Sequence, residues 1–320
     1  MTTAPSLSKR FSIFTWHIHG SYLYYLSQAA IDIFIPVSDP AREGYYGRGE
    51  TFPFGDNVIE VPIGQVKEMR FDCVLFQSAR NFQTDQYEIL SDAQRALPRV
   101  YLEHNAPSGH AVLSCHPMDD NNITLVHVTH YNKLMWQQSV PDVRVIEHGV
   151  MESAIEYNGE LDKGIVVINH IRERGRITGW DIFEQVREQV PLDLAGMGTE
   201  KYGGLGEVLH PQLPAFLSNY RFFFNPIRHT SLGLSFLEAM MGGLPVVALA
   251  TTEYACTIRH CYSGFVHTNI SVLIDNMLHL LENRDLARLM GKHAKQTALN
   301  KFNITRFARD WETLFRSVAN

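Results

Sequence analysis

The sequence has little of what marks membrane, secreted or nucleic-acid-binding proteins. No apolar run approaches the about 18 residues of a membrane-spanning helix. The N-terminal sequence MTTAPSLSKRFSIF lacks the apolar core of a secretory signal. The formal net charge of −6 argues against the basic face of a nucleic-acid binder. We therefore expect a cytoplasmic protein, and peripheral contact with the inner face of a membrane is left open.

Cysteine is scarce, and the four cysteines are scattered at residues 73, 115, 256 and 261. Their spacing does not fit a zinc site, which takes closer pairs or a histidine partner. We interpret them as buried free thiols. The sequence also has no HxxxH pattern and no clear carboxylate triad, so no metal site is predicted.

Internal repeats and low-complexity segments are also missing, and short apolar runs alternate instead with amphipathic stretches. This pattern predicts an α/β fold with parallel sheets. A polar break at 151–164 separates two such units, which we interpret as two Rossmann-like domains with a ligand in the cleft between them. The predicted strands of the first unit are 10–16, 31–37, 71–77, 99–104, 123–129 and 142–150. The second unit ends in a predicted helical run over 270–299.

One carboxylate stands in an otherwise apolar stretch, SLGLSFLEAMMGGLPVVA at 231–248. The stretch follows an apolar strand and a polar loop, and Gly233 opens its helix. The free N–H groups and the dipole of a helix start favour a phosphate. Glu238 lies one turn further on, where it could accept hydrogen bonds from a ribose diol. The alternative is that Glu238 is a solvated helix residue and Gly233 only a turn.

NPIRHTSLGLSFLEAMMGGLPVVA resembles the nucleotide-sugar-binding motif of retaining family 4 glycosyltransferases, which have the GT-B fold. The match is specific because many positions agree in the same order. They are Gly233, Leu234, Leu237, Glu238, Ala239, Met240, Gly243, Pro245, Val246, Val247 and Ala248. The resemblance implies that Glu238 holds the ribose of a donor. It further implies donor contacts at His229, Thr230, Ser231, Leu232, Gly233 and Leu234.

Thr230 is where the sequence departs from the family. The family has two glutamates eight residues apart, and the first, which lies against the donor sugar, falls on Thr230. A hydroxyl carries no charge to stabilise a developing oxocarbenium ion. The resemblance therefore leaves three alternatives: an unusual donor, a neighbour such as Arg228 or His229 in the missing role, or weak or absent activity.

Other segments resemble the family in the same order. DVRVIEHGV is similar to the turn that closes the first domain, LAGMG with Gly196 to a Gly-rich turn, and FNITRFARDWETLF to the last helix. In the family that helix crosses back to the first domain. The resemblance thus implies a GT-B protein with domains at 1–152 and 153–303 and a returning helix at 304–320.

Three arginines crowd the loop where the family neutralises the donor diphosphate. The family has an Arg and a Lys there, but Asn169-His170 and Thr178 fall on those positions. Guanidinium groups match phosphate oxygens and stay charged. We predict Arg174 and Arg176 on the diphosphate, with Arg172 close behind. A solvated charged turn is the alternative.

Histidines stand at the ends of the first and fourth predicted strands. HIHGSYLYYL (17–26) places His17, His19 and Gly20 at a strand-to-helix turn. In the family such a turn reaches the donor phosphates or the acceptor. His104 ends the strand RVYLEH, where family members carry a histidine near the donor sugar. The alternative is that each histidine is a packed or capping residue.

The resemblance implies a retaining glycosyltransferase, specifically a hexosyltransferase, that uses a nucleoside diphosphate sugar, most readily a UDP or GDP sugar. His104, Arg174, Arg176 and Glu238 are the predicted catalytic residues, and no cofactor or metal is expected. The acceptor is a glycan, a lipid-linked molecule or a small molecule. A GT-B protein that binds a nucleotide sugar without turnover is the alternative. A Rossmann dehydrogenase is disfavoured because no GxGxxG follows the first strand.

Overall fold

Seven parallel strands form the first sheet, in the order β3-β2-β1-β4-β5-β6-β7. The computed structural model describes residues 10–319. Strand β4 is buried along its whole length, as expected where both faces of a parallel sheet are covered. The strands are β1 (Phe11–Thr15), β2 (Ile31–Val37), β3 (Val58–Pro62), β4 (Cys73–Phe76), β5 (Arg99–Glu103), β6 (Ile123–His127) and β7 (Asp142–Val145).

Five parallel strands form the second sheet, in the order β12-β11-β10-β8-β9. The central strand β10 is buried at every position, in agreement with its apolar sequence YRFFFN. The strands are β8 (Leu161–Val167), β9 (Leu192–Ala195), β10 (Tyr220–Asn225), β11 (Val246–Leu249) and β12 (Gly264–His267). The predicted α/β fold with two parallel sheets is therefore confirmed.

The strand order of each sheet reverses at one point. In the first sheet the chain runs outward in both directions from β1 and β4, and in the second sheet from β8 and β10. Loops that leave neighbouring strands at such a point diverge and open a crevice at the carboxyl ends of the strands. The loops after β1, β8 and β10 line the cavity described below.

The described part of the chain contains eleven α-helices. None of those within residues 10–319 is long and apolar enough to cross a membrane. The helices are α1 (Gly20–Leu26), α2 (Gln86–Ile89), α3 (Asp92–Arg95), α4 (His130–Met135), α5 (Trp180–Arg187), α6 (Leu213–Ser218), α7 (Leu234–Met241), α8 (Tyr254–Thr257), α9 (Ile270–Glu282), α10 (Arg284–Lys301) and α11 (Ile304–Val318).

The last helix, α11, returns to the first sheet. Phe307, Trp311 and Phe315 lie on one face of α11 and are buried. The indole N–H of Trp311 donates to the hydroxyl of Tyr22 on α1 over 3.1 Å. This agrees with the helix that the family resemblance implies. The predicted domain boundaries at residues 152 and 303 stay a prediction.

Several predictions about local structure were wrong. Strand β3 was missed because it is a short edge strand with polar and exposed positions. The linker predicted at 151–164 is shorter, since β8 already begins at Leu161. The helical run 270–299 is two helices, because the Asn283 side chain accepts from the N–H of Leu286 and starts α10. Only one cysteine, Cys73, is a buried thiol, whereas the other three are exposed at Cys115, Cys256 and Cys261.

Candidate active site

A cavity of about 400 Å³ lies between the two sheets. Its wall on the side of the first sheet includes residues that follow β1 and β5, among them His19 and His104. Its other wall is built by the loops after β8, β9 and β10 and by the start of α7. Ten predicted site residues line it, namely His19, His104, Arg174, Gly196, Thr230, Ser231, Leu232, Gly233, Leu234 and Glu238.

The start of α7 faces this cavity without a side-chain cap. Gly233 is the N-cap residue, and its own N–H donates to the hydroxyl of Tyr254 over 3.1 Å. Among the described residues no side chain caps the first turn of α7. Uncapped N–H groups together with the helix dipole form a site suited to an anion.

The three neighbouring arginines have different surroundings. Arg174 lines the cavity, and in residues 10–319 its guanidinium has no hydrogen bond or ion pair. It is accessible from the cavity, yet enough protein surrounds it that burial lowers its pKa. Arg172 instead stacks over Tyr202, with its guanidinium carbon 4.4 Å from the ring centre. Arg176 is outside the cavity.

Asp181 holds two arginines that sequence reasoning had considered for the site. Arg176 Nη1 lies 2.6 Å from Asp181 Oδ2, and 76% of the Arg176 side chain is exposed. Arg228 contacts the same carboxylate at 2.5 and 2.8 Å. The hydrogen bond from Arg228 is the largest cause of the lowered pKa of Asp181, and the charges of Arg228 and Arg176 lower it further. The structure therefore brings Arg174 into the cavity but not Arg176 or Arg228.

Glu238 lines the cavity from the second turn of α7, and 12% of its side chain is exposed. Its Oε1 accepts a hydrogen bond of 2.6 Å from the hydroxyl of Tyr25 on α1. The Nε2 atom of His210 lies 3.3 Å from the same oxygen. The interpretation of Glu238 as a solvated helix residue is therefore wrong, because it is mostly buried and bonded across the cleft.

Three imidazoles line the end of the cavity nearest the first sheet. The rings of His19 and His104 are 4.0 Å apart, and Nε2 of His104 lies 3.1 Å from Oε1 of Gln77. Burial lowers the pKa of His19 to about 4 and that of His148 to about 4. Burial also lowers the pKa of His104 well below its usual range. All three are neutral at pH 7 and can exchange hydrogen bonds with hydroxyl groups.

Gly196 forms the cavity wall where β9 ends. Its φ of +128° lies in a region that only glycine adopts readily. A Cβ at this position would lie 2.7 Å from the carbonyl oxygen of Ile168. The glycine thus lets the loop after β9 approach the loop after β8.

Three further predicted site residues do not line the cavity. The Nδ1 of His17 lies 2.6 Å from the carbonyl oxygen of Gly47, which turns the ring away. Gly20 is covered by the ring of Phe52. His229 lies between the hydroxyl of Tyr131 and the carbonyl of Pro107, at 3.0 and 2.8 Å.

Part of the second unit matches a known family. Residues 174–283 match the family model described as Glycosyl transferases group 1. The second unit thus contains a stretch that matches the group 1 glycosyltransferases. This confirms the assignment to glycosyltransferases that the motif predicted.

A curated relative is similar to part of the chain. Trehalose synthase from Thermococcus litoralis is 34% identical over 85 residues, which are 27% of this chain and 21% of that protein. The matched stretch thus spans about a fifth of the length of that curated relative.

Solved structures show that the fold is GT-B. Sucrose-phosphate synthase from Thermosynechococcus elongatus is similar with a TM-score of 0.69 at 15% identity, over 97% of this chain and 99% of that one. Anabaena HepE, solved in complex with UDP and glucose, is similar with a TM-score of 0.69 at 12% identity, over 96% and 100%. The likeness extends to both sheets.

Sequence reasoning missed several residues in or next to the cavity. His148 lies two residues before the end of the quoted segment DVRVIEHGV, and its position in that closing turn was an available signal. His210 and Ser235 also line the cavity. No sequence signal points to Tyr25, because its contact with Glu238 joins residues 213 positions apart.

Proposed function

We propose that the chain is a retaining glycosyltransferase that binds a nucleoside diphosphate sugar in the cavity between its two sheets. One observation carries the proposal: the cavity brings together Arg174, the uncapped start of α7 and Glu238. A cation and helix N–H groups suit a diphosphate, and a carboxylate suits a ribose diol. The group 1 domain supports the reaction class.

The diphosphate would lie between Arg174 and the first turn of α7. Arg174 has no other partner among the described residues, so phosphate oxygens do not have to displace a competing carboxylate. This matters because the charge on the leaving diphosphate grows as the glycosidic bond breaks. Preorganised N–H groups at that position stabilise the transition state more than they stabilise the bound nucleotide sugar.

The sugar would face the three imidazoles and Thr230. His19, His104 and His148 can bind sugar hydroxyls in their neutral form. Thr230 lines the cavity and offers a hydroxyl where related enzymes have a carboxylate. The orientation of the sugar ring would then depend on hydrogen bonds rather than on the charge of a carboxylate.

The proposed reaction proceeds on one face of the sugar. The bond between the anomeric carbon and the diphosphate oxygen breaks, and a bond to an acceptor oxygen forms on the same face. The acceptor proton passes to the departing phosphate oxygen, so no covalent intermediate with the protein is needed. Closure of the two sheets over the donor would exclude water and limit hydrolysis.

A protein that binds a nucleotide sugar without turnover is the second candidate. Thr230 favours it, because a hydroxyl cannot replace the charge of the missing carboxylate. Arg228 does not take over this role, since Asp181 holds it outside the cavity. His229 is also bonded elsewhere.

A thermal-shift screen against UDP, GDP, ADP and TDP sugars tests donor binding. A ligand present at about 100 times its dissociation constant stabilises the folded protein by about 2.7 kcal/mol. We expect one nucleotide sugar to raise the unfolding midpoint of the wild type. The same nucleotide sugar should not raise the midpoint of Glu238→Ala. If no nucleotide sugar raises the midpoint, the proposed function is wrong.

Donor hydrolysis then separates the two candidates. Release of free sugar or transfer to an added acceptor, at a rate above that of the Arg174→Gln variant, supports the transferase. Saturable binding with no turnover for any acceptor class supports the binding protein.

A further inference from the structure

The carboxylate of Glu238 is held by groups from both sides of the cleft. The Tyr25 hydroxyl donates to Oε1 over 2.6 Å, and Nε2 of His210 lies 3.1 Å from the Tyr25 oxygen. Tyr25 belongs to α1 next to the first sheet, whereas His210 precedes α6 in the second unit. In the described part of the chain Oε2 takes part in no hydrogen bond.

The side chain of Tyr25 is buried and does not line the cavity. It is 2% exposed, and the cavity is lined by Glu238 and His210 but not by Tyr25. Burial first, and then the charge of Glu238, raise its pKa well above the usual value. The side chain is therefore a neutral hydroxyl donor at pH 7.

We propose that Tyr25 is a positioning residue that orients Glu238 toward the donor ribose and so links the first sheet to donor binding. This inference rests on the proposed function of the cavity. It adds a residue of the first unit to the part of the site for ribose and diphosphate, which the second unit otherwise forms.

The hydrogen-bonding capacity of a carboxylate supports this role. A carboxylate offers about four acceptor positions, and Tyr25 and His210 both approach Oε1. The open Oε2 can accept hydrogen bonds from the ribose diol, which carries two donors. With Oε1 fixed by a short bond from a buried hydroxyl, the carboxylate cannot rotate without losing that bond. The group is therefore preorganised before the donor arrives.

A second tyrosine on the same helix provides a matched control. Tyr24 is 8% exposed, and its ring lies 5.1 Å from that of His210. In the described residues the Tyr24 hydroxyl makes no hydrogen bond. Replacing either tyrosine by phenylalanine removes one hydroxyl from α1, but only Tyr25→Phe removes a bond to Glu238.

The test pairs each variant with two nucleotides, UDP and 2′,3′-dideoxyuridine diphosphate, in isothermal titrations. UDP is the probe because it is the nucleotide bound to the structural relative HepE. We expect Tyr25→Phe to weaken UDP binding about tenfold, since a bond to a charged group is lost. The affinity for the dideoxy nucleotide should fall by less than about twofold in this variant, because that nucleotide lacks the diol that Glu238 would bind.

The remaining measurements complete the experiment. Tyr24→Phe should change the affinity for either nucleotide by less than about twofold. In an assay of turnover, Tyr25→Phe should raise the KM for the donor and leave kcat nearly unchanged, as expected when binding is lost equally in the ground and transition states.

Three results would overturn the inference. Equal weakening of both nucleotides by Tyr25→Phe would mean that Tyr25 only supports the fold. An unchanged affinity for UDP would mean that Tyr25 does not position Glu238. Equal affinity of the wild type for the two nucleotides would remove the ribose role of Glu238 as well, while donor binding itself would stand. If the wild type bound neither UDP nor any sugar in the screen, the proposed function would fail first.

Discussion

Arg172, Arg174 and Arg176 show how three identical side chains in one loop come to have different roles. Arg174 precedes the short turn Gly175–Ile177, whereas Arg176 lies within that turn and pairs with Asp181. Arg172 lies over an aromatic ring. Only Arg174 faces the cavity with no partner for its guanidinium in the described residues. The sequence predicted that an arginine of this loop would reach the site, but the choice depends on side-chain direction.

Replacing Arg174 should therefore weaken donor binding selectively. Arg174→Gln loses a charge-assisted hydrogen bond, and we expect the affinity for the stabilising nucleotide sugar to fall by about tenfold or more. Arg176→Gln, the matched control, should change that affinity by less than about twofold. Titration calorimetry measures both. A larger loss in Arg176→Gln would mean that Asp181 releases Arg176 to the donor.

The buried histidines predict how stability depends on pH. The pKa of His148 is about 4 in the folded chain and about 6.5 when unfolded, so the unfolded chain binds the additional proton between these values. The free energy of unfolding should be level above pH 6.5 and fall as the pH drops toward 4. His19 and His104 act in the same direction.

His148→Gln should make this fall less steep. One group with this shift accounts for at most about 3 kcal/mol between pH 6.5 and 4. Urea unfolding at several pH values measures the slope, with the wild type measured in parallel. An identical slope in the variant would mean that His148 is already protonated in the folded protein.

The turn after β9 shows what one backbone conformation contributes to an element. Gly196→Ala would bring a Cβ within 2.7 Å of the Ile168 carbonyl oxygen at a φ of +128°. We expect a loss of about 2–3 kcal/mol of stability. Gly203→Ala is the control, because its φ is +77° but no atom lies within 4 Å of the added Cβ. Its loss should be about 1 kcal/mol. Equal losses for the two variants would show that the turn relaxes.

The elements were predictable to the extent that their periodicity was strong. The apolar strands and α7 follow from continuous apolar runs, and α7 spans Leu234–Met241 in agreement with its motif. The split between α9 and α10 was missed because helical periodicity continues across Asn283. What separates them is one side-chain hydrogen bond from the Leu286 N–H to Asn283. Such a cap competes with helix continuation by a small free energy that the apolar pattern does not report.

The return of α11 ties the end of the chain to its beginning. Trp311 is fully buried between Phe315 and Tyr22. Trp311→Ala should lower the free energy of unfolding by about 3–5 kcal/mol, because it leaves a large cavity and removes the bond to Tyr22.

Trp180→Ala is the control for Trp311→Ala, because Trp180 is only partly buried. We expect a clearly smaller loss of stability, and chemical denaturation measures both variants. Equal losses would mean that α11 is loosely attached to the first sheet.

The contacts across the cleft could not be predicted from the sequence. The bond from Tyr25 to Glu238 joins positions 213 residues apart, and that from Tyr131 to His229 joins positions 98 apart. Local pattern predicts each unit and the position of Glu238 on its helix. It does not say which side chain of the other unit will face that glutamate. The two-sheet fold was predictable from local pattern, whereas the partners of the site were not.

The most direct test of the account is a crystal structure of the chain with the nucleoside diphosphate selected by the screen. We predict phosphate oxygens within hydrogen-bonding distance of the Arg174 guanidinium and of the backbone N–H groups at the start of α7. The ribose hydroxyls should lie on the carboxylate of Glu238. A nucleotide bound outside this cavity, or bound inside it without contact to Arg174 and Glu238, would contradict the account.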